Sequence, residues 1–272
     1  MPVDEPWLEM IHPDAPFGCV RYALFDFDGT LSVIRHGWET IMIGLMIESI
    51  GQRSAEIETE VRAYVDHSTG ILTIKQMQWL EAAVRRYGPP ESGVMSASQY
   101  KRIYTEHLLQ PVRQRLAQMD GSPAAREALS ISGAAGFLEG LAARGIPLFL
   151  ASGTDQEYVE AESAVLGMAG FFQGHIYGAR GDSETDSKDQ VIQRILRENQ
   201  LSGAELLVVG DGPVEIGYAR QAGAIGLGVA ADEDTRQTLN PRKRERLIAA
   251  GADLIVSNFL HTPELLDLLC GG

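Results

Sequence analysis

The sequence predicts an α/β fold in which a parallel sheet carries helices on both faces and is interrupted early by a helical insertion. Three observations carry that prediction. Short apolar runs, VRYALFDF (20–27), IPLFLASG (146–153) and ELLVVGDG (205–212), alternate with helical segments of roughly ten to fifteen residues, the grammar of βαβ units. The centres of these runs (ALF, LFLA and LLVV) are continuously apolar, as strands buried on both faces must be. Residues 34–130, in contrast, show helical periodicity and no strand signal.

The first eighteen residues, MPVDEPWLEMIHPDAPFG, are acidic and broken by prolines. They lack the pattern of a secretory signal and are expected to form an N-terminal extension (1–19) that lays Trp7 and Met10 on the body. The first strand follows and closes in the turn Asp28-Gly29-Thr30. The insertion then repeats one theme. Trp38, Ile41, Met42, Leu45, Met46 and Ser49 share a helical face, and Ile57, Val61, Tyr64 and Val65 share the next. Met77, Leu80 and Val84 lead to a stop at Gly88-Pro89-Pro90. Tyr100, Ile103, Tyr104, Leu108, Val112 and Leu116 define a long helix with a bend expected at Pro111. The Met and Trp side chains of this stripe (Trp38, Met42, Met46, Met77, Trp79) suit a core better than a ligand cage.

From residue 131 onward strands and helices alternate. Helices are expected over GAAGFLEGLAARG (133–145), 156–166, 189–199 and VEIGYARQAG (214–223), with one more near the PRKRER run and a last one at the C-terminus. Strands are expected at IPLFLASG, near 175–178, and at ELLVVGDG, AIGLGVA (224–230) and DLIVS (253–257). The predicted organisation is a core made of 20–33 and 131–272 with an inserted unit at 34–130.

Composition narrows the function. The 272 residues are 44% hydrophobic and carry a formal charge of −14, which argues against a nucleic-acid partner. The basic run PRKRER (241–246) reads as a solvated helix face. Two cysteines, Cys19 and Cys270, form neither a metal-ligand spacing nor a disulfide framework, which suits a reducing compartment. No apolar stretch reaches membrane-spanning length. The expectation is a soluble cytoplasmic protein with no membrane partner; the oligomeric state is open. His67, His107 and His175 have no metal-like spacing.

In parallel sheets the ligand sits beyond the carboxyl ends of the strands. Those ends gather Asp26 and Asp28 from the first strand, Ser152-Gly153-Thr154 from the second, and Asp211 from LLVVGDG with Glu215 one helical turn on. Lys188 precedes the helix DQVIQRIL. Asp26 and Asp28, two apart on a strand, point to one face, which requires a cation between them or a proton on one. A hard divalent ion joining Asp26 and Asp211, with a phosphate dianion as ligand, satisfies both needs, and Mg²⁺ suits one or two carboxylates plus substrate phosphate. GDGPVE lacks the third glycine of a dinucleotide loop. Arg35 and His36 lie where the chain enters the insertion; they suit either substrate contact or a solvated hinge.

Four motifs in order carry a resemblance. DFDGT (26–30), FLASG ending in Ser152, the lone Lys188 before a helix, and VVGDGPVEI followed by Ala222-Gly223 resemble the signature of the haloacid dehalogenase superfamily, over about residues 20–260. Within it the chain is similar to the phosphoglycolate phosphatase and β-phosphoglucomutase group. The resemblance implies a Rossmann-like core with a helical cap at 34–130 and a Mg²⁺-dependent phosphatase acting on a small phosphorylated molecule. It implies Asp26 as nucleophile and metal ligand, and Asp28 as general acid/base that also offers its backbone carbonyl to the metal. Ser152 and Lys188 would hold the phosphoryl oxygens, assisted by backbone N–H groups at Gly29, Thr30 and Gly153. Asp211 would bind Mg²⁺, with Glu215 near the metal or orienting Lys188. Asp28 sets the chain apart from the dehalogenase and phosphonate-cleaving branches, which lack it. A sugar phosphomutase and a non-catalytic phosphate-binding regulator are the alternatives on the same scaffold.

Overall fold

The apolar runs form a single sheet. The structure, a computed structural model, describes residues 7–89, 93–181 and 187–271. In chain order the elements are β1 (Leu8–Met10), β2 (Tyr22–Phe25), α1 (Trp38–Ile50), α2 (Ala55–His67), α3 (Thr73–Tyr87), α4 (Ala97–Ala117), α5 (Pro123–Ala128) and α6 (Ala134–Ala143). There follow β3 (Leu148–Asp155), α7 (Gln156–Val165), β4 (Ile176–Ala179), α8 (Lys188–Asn199), β5 (Leu206–Gly210), α9 (Pro213–Ala222), β6 (Ile225–Val229), α10 (Pro241–Ala250), β7 (Leu254–Val256) and α11 (Thr262–Cys270).

The sheet order is β1-β7-β6-β5-β2-β3-β4, parallel except for β1 against β7. Alternation along each strand separates two cores. Ala23, Phe25, Leu150 and Val209 face α6 and α11, where Phe25 meets Phe137 edge-on at 6.0 Å. Leu24, Phe149 and Val208 face α8 and α9 through Val191, Ile192, Ile195 and Ala219. The doubly wound α/β arrangement is therefore the one the strand spacing predicts.

The N-terminal segment differs from expectation. Leu8–Met10, in the proline-broken N-terminal segment, adds an edge strand to β7. Trp7 stacks on His261 at 4.7 Å, whereas Met10 is exposed. The predicted long helix forms as α4, which carries Pro111 in its interior, where a proline costs about 3 kcal/mol and the buried Leu108, Leu109 and Val112 pack around it.

Helices α1 to α5 all lie between β2 and β3. Met42, Met46 and Met77 are fully buried among them, and Trp79 stacks on Tyr64 at 4.1 Å, so most of the stripe is core; Trp38 alone borders the cavity described below. Cys19 and Cys270 are both free thiols. Among the described residues no helix is long and apolar enough to cross a membrane.

Candidate active site

The site is built where β2, β3 and β5 end. Asp26 donates its N–H to Val209 O at 2.9 Å, which carries the sheet pairing one residue past β2 and sets its side chain at the rim. The chain then turns through Gly29, at φ +76°. Glycine is required there twice over, since a Cβ would also lie 2.3 Å from Asp211 Oδ2.

Lys188, the first residue of α8, is placed by the Ser187 cap before it. Its Nζ lies 2.8 Å from Asp26 Oδ1 and 3.0 Å from Glu215 Oε2. Glu215 sits in the first turn of α9 and accepts the Gly212 N–H on Oε1 at 2.7 Å. Asp211, just beyond β5, accepts the Thr30 hydroxyl on Oδ1 at 3.4 Å. Asp26, Asp211 and Glu215 each place an oxygen within 4.8 Å of the others, and all three are buried. Burial pushes the Asp26 carboxyl well up; Lys188 pulls it back, while Glu215 and Asp211 add to the rise. Burial opposes the charge on Lys188, yet Asp26 and Glu215 together hold its ammonium above the usual lysine range. Asp26 and Asp211, crowded, buried, hard oxygen donors, fit a small divalent cation, which would relieve the repulsion, while Glu215 stands beside them with its oxygens on Gly212 and Lys188.

Asp28 is oriented differently. Its Oδ2 accepts the Thr154 hydroxyl at 2.9 Å and the Ser152 hydroxyl at 3.4 Å. Its Oδ1 is buried with no hydrogen-bond partner, 3.8 Å from Arg35 Nε. Burial pushes this carboxyl up to about 6, against the pull of the Arg35 guanidinium. The side chain thus stands apart from the three-carboxylate group and faces an open cavity of about 530 Å³, its mouth included. Asp26, Ser152, Gly153 and Lys188 line the same cavity. Thr69, Gly70 and Ile71, between α2 and α3, and Trp38, Gln76 and Tyr104 line it from the helical insertion. Gly153 admits that loop, because a Cβ there would meet Ile71 O at 2.4 Å.

Arg35 borders the cavity but is no solvated hinge residue: it is buried, and Glu162 of α7 binds it through two nitrogens at 2.7 and 3.0 Å. His36 does not line the cavity. Its Nδ1 lies 3.1 Å from Glu233 and its Nε2 3.1 Å from Asp234, and the bond to Glu233 raises its basicity.

The run PRKRER is the clearest correction. It begins α10, and its side chains do not all face solvent. Lys243 is buried and donates to Asp211 Oδ2 and Glu233 Oε1, both at 2.7 Å. Arg246 is largely buried; it donates to the Asp211 main-chain oxygen at 3.1 Å and reaches Asp66 of the insertion at 2.9 Å. A signal was present: Lys243 precedes the buried Leu247 by four residues, so both occupy one helical face. Glu162 and Thr154, which position Arg35 and Asp28, carried no functional assignment from sequence. The acidic loop before Lys188 falls partly outside the described residues.

Comparison with known proteins agrees with this architecture. The structure resembles a predicted phosphatase from Clostridium acetobutylicum (17% identity, covering 92% of this chain and 99% of that one, TM-score 0.60). It also resembles a hydrolase from Pseudomonas syringae (16%, 91% and 98%, TM-score 0.62). A predicted phosphoglycolate phosphatase from Haemophilus somnus 129PT is similar as well (15%, 90% and 97%, TM-score 0.58). A search of curated proteins by sequence yields no match. The family model for haloacid dehalogenase-like hydrolases matches residues 20–223, and the chain belongs to that family.

Proposed function

We propose that the protein is a Mg²⁺-dependent phosphatase that hydrolyses a small phosphomonoester, such as a sugar phosphate or a phosphoglycolate-like acid. The observation that carries this reading is the meeting of Asp26, Lys188, Asp211 and Glu215 beneath a cavity that Ser152 and Asp28 also border. The phosphatase relatives named above support it.

In this reading the substrate phosphoryl group lies against Lys188, Ser152 and the backbone N–H groups at Gly29, Thr30 and Gly153. Asp26 attacks phosphorus, and Asp28 Oδ1 delivers its proton to the departing ester oxygen. The resulting aspartyl-phosphate is opened by a water whose proton Asp28 takes back. Asp26, Asp211 and the Asp28 carbonyl would hold the dication, which when bound would neutralise charge on the phosphoryl oxygens. Glu215 acts on Lys188, whose ammonium it holds at 3.0 Å. Residues 34–130 serve as a cap on a core of 20–33 and 131–272, with the loop at Thr69–Ile71 excluding water.

Free-phosphate release from a panel of phosphomonoesters tests the reading, run with Mg²⁺, with chelator, and with Asp26→Asn. Release that needs both Mg²⁺ and Asp26 supports it. No release from any compound overturns it and favours a phosphomutase, which addition of a sugar bisphosphate would reveal.

A further inference from the structure

The mechanism above leaves unused the buried Lys243 and the largely buried Glu233 beside the site. Lys243 comes from α10 and Glu233 from the segment after β6. Lys243 Nζ lies 2.7 Å from Asp211 Oδ2 and 2.7 Å from Glu233 Oε1, and its side chain is 7% exposed. Arg246 approaches the same Asp211 oxygen at 3.7 Å. Asp211 Oδ2 therefore faces two protein cations, while Oδ1 faces only the Thr30 hydroxyl, at 3.4 Å. Lys188 and a backbone N–H engage the other carboxylates. Asp26 Oδ1 is on Lys188, and Glu215 has Oε1 on the Gly212 N–H and Oε2 on Lys188.

This pattern limits what the carboxylates can offer a metal. An oxygen held by an ammonium in a buried ion pair is withdrawn from coordination, so Asp211 can present one oxygen and not two. Ca²⁺ takes six to eight oxygens and commonly grips carboxylates through both. Mg²⁺ is complete with six, accepts single oxygens and keeps waters in the remaining positions. Glu233 makes the arrangement tolerable. An unpaired ammonium beside a dication would repel it, whereas the Lys243–Glu233 pair adds no net charge. Glu233 is itself anchored by His36 at 3.1 Å on its second oxygen.

We propose that Lys243, locked by Glu233, restricts Asp211 to one-oxygen coordination and so makes the site select Mg²⁺ against Ca²⁺. Lys243 is a specificity-determining residue for the metal, acting through Asp211 and touching neither substrate nor reacting atoms. This rests on the metal-dependent reading of the site.

The test is direct binding of Mg²⁺ and of Ca²⁺ to the full chain by titration calorimetry, without substrate. Wild type is compared with Lys243→Met, with Lys243→Met/Glu233→Gln and with Glu233→Gln. The double variant removes both charges of the Lys243–Glu233 pair at similar side-chain size and leaves Asp211 Oδ2 facing Arg246 at 3.7 Å. Both Met variants should shift the Ca²⁺ to Mg²⁺ affinity ratio towards Ca²⁺ by about tenfold or more. Glu233→Gln, which keeps the ammonium on Asp211, should retain the wild-type ratio. A wild-type crystal soaked in Mn²⁺ should show Asp211 on the metal through Oδ1 alone, with Oδ2 still on Lys243. A wild-type ratio in the Met variants, or a two-oxygen Asp211 with Lys243 displaced, overturns the proposal and leaves the metal-dependent reading standing. Absence of any divalent-cation binding by wild type overturns both.

Discussion

Arg35 is clasped by Glu162 through two nitrogens, at 2.7 and 3.0 Å, and from that position stands 3.8 Å from the unpartnered Oδ1 of Asp28. The clasp is buried on both sides, with side-chain exposures of 7% and 4%. Arg35 thus brings positive charge to the general-acid candidate without occupying it.

Breaking this clasp from one side strands a buried cation. Glu162→Gln is expected to lower stability by about 3–5 kcal/mol in urea unfolding. The double change Arg35→Met/Glu162→Gln should cost less, since it leaves no stranded charge. A Glu162→Gln protein within about 1 kcal/mol of wild type would contradict a structural role for the pair.

Asp28 gives a pH prediction for the metal-free protein. Its carboxyl is raised from 3.8 to about 6, with burial as the first cause. The folded state therefore holds this proton more tightly than the unfolded chain. Stability from this group is fully present below pH 4 and is lost as pH rises to about 6. With chelator present, wild type should lose stability relative to Asp28→Asn across that window. A constant difference between the two proteins would contradict the raised value.

Gly70 tests the loop over the site. It lies at φ +97°, and a Cβ would stand 2.2 Å from Glu215 Oε2 and 3.2 Å from Lys188 Nζ. Gly70→Ala should preserve the circular dichroism spectrum but lower kcat/KM by at least about tenfold, since misplacement of about 1 Å near reacting groups has effects on that scale or larger. Wild-type kcat/KM in this variant would show that the loop need not approach the two residues.

Metal binding should be visible without turnover. At about one hundred times its dissociation constant, a ligand stabilises the folded state by about 2.7 kcal/mol, so Mg²⁺ should raise Tm by several degrees in wild type. Asp211→Asn should remove most of that shift. An equal shift in both proteins would place the metal elsewhere.

Much of this was legible in the sequence because it is local. Continuous apolar runs announce buried parallel strands, and the residues at their carboxyl ends must share a rim. Asp26, Asp28, Ser152, Lys188 and Asp211 follow from that rule. What escaped depends on partners far away in the chain. Lys243 looks solvated in a run of charges until Asp211 and Glu233 are placed against it. Glu162 is one acid among several on α7 until Arg35, 127 positions earlier, reaches it. The three-residue β1 has too few residues for a periodic signal and is recognisable only by its pairing with β7.

In the proposed reaction Asp26 carries the phosphoryl group. Rapid acid quenching after mixing the protein with a ³²P-labelled substrate and Mg²⁺ tests it most directly. Transient label is expected on the wild-type protein, mapped to the peptide containing Asp26, and none on Asp26→Asn. Phosphate release without a labelled protein, or label that persists in Asp26→Asn, would contradict it.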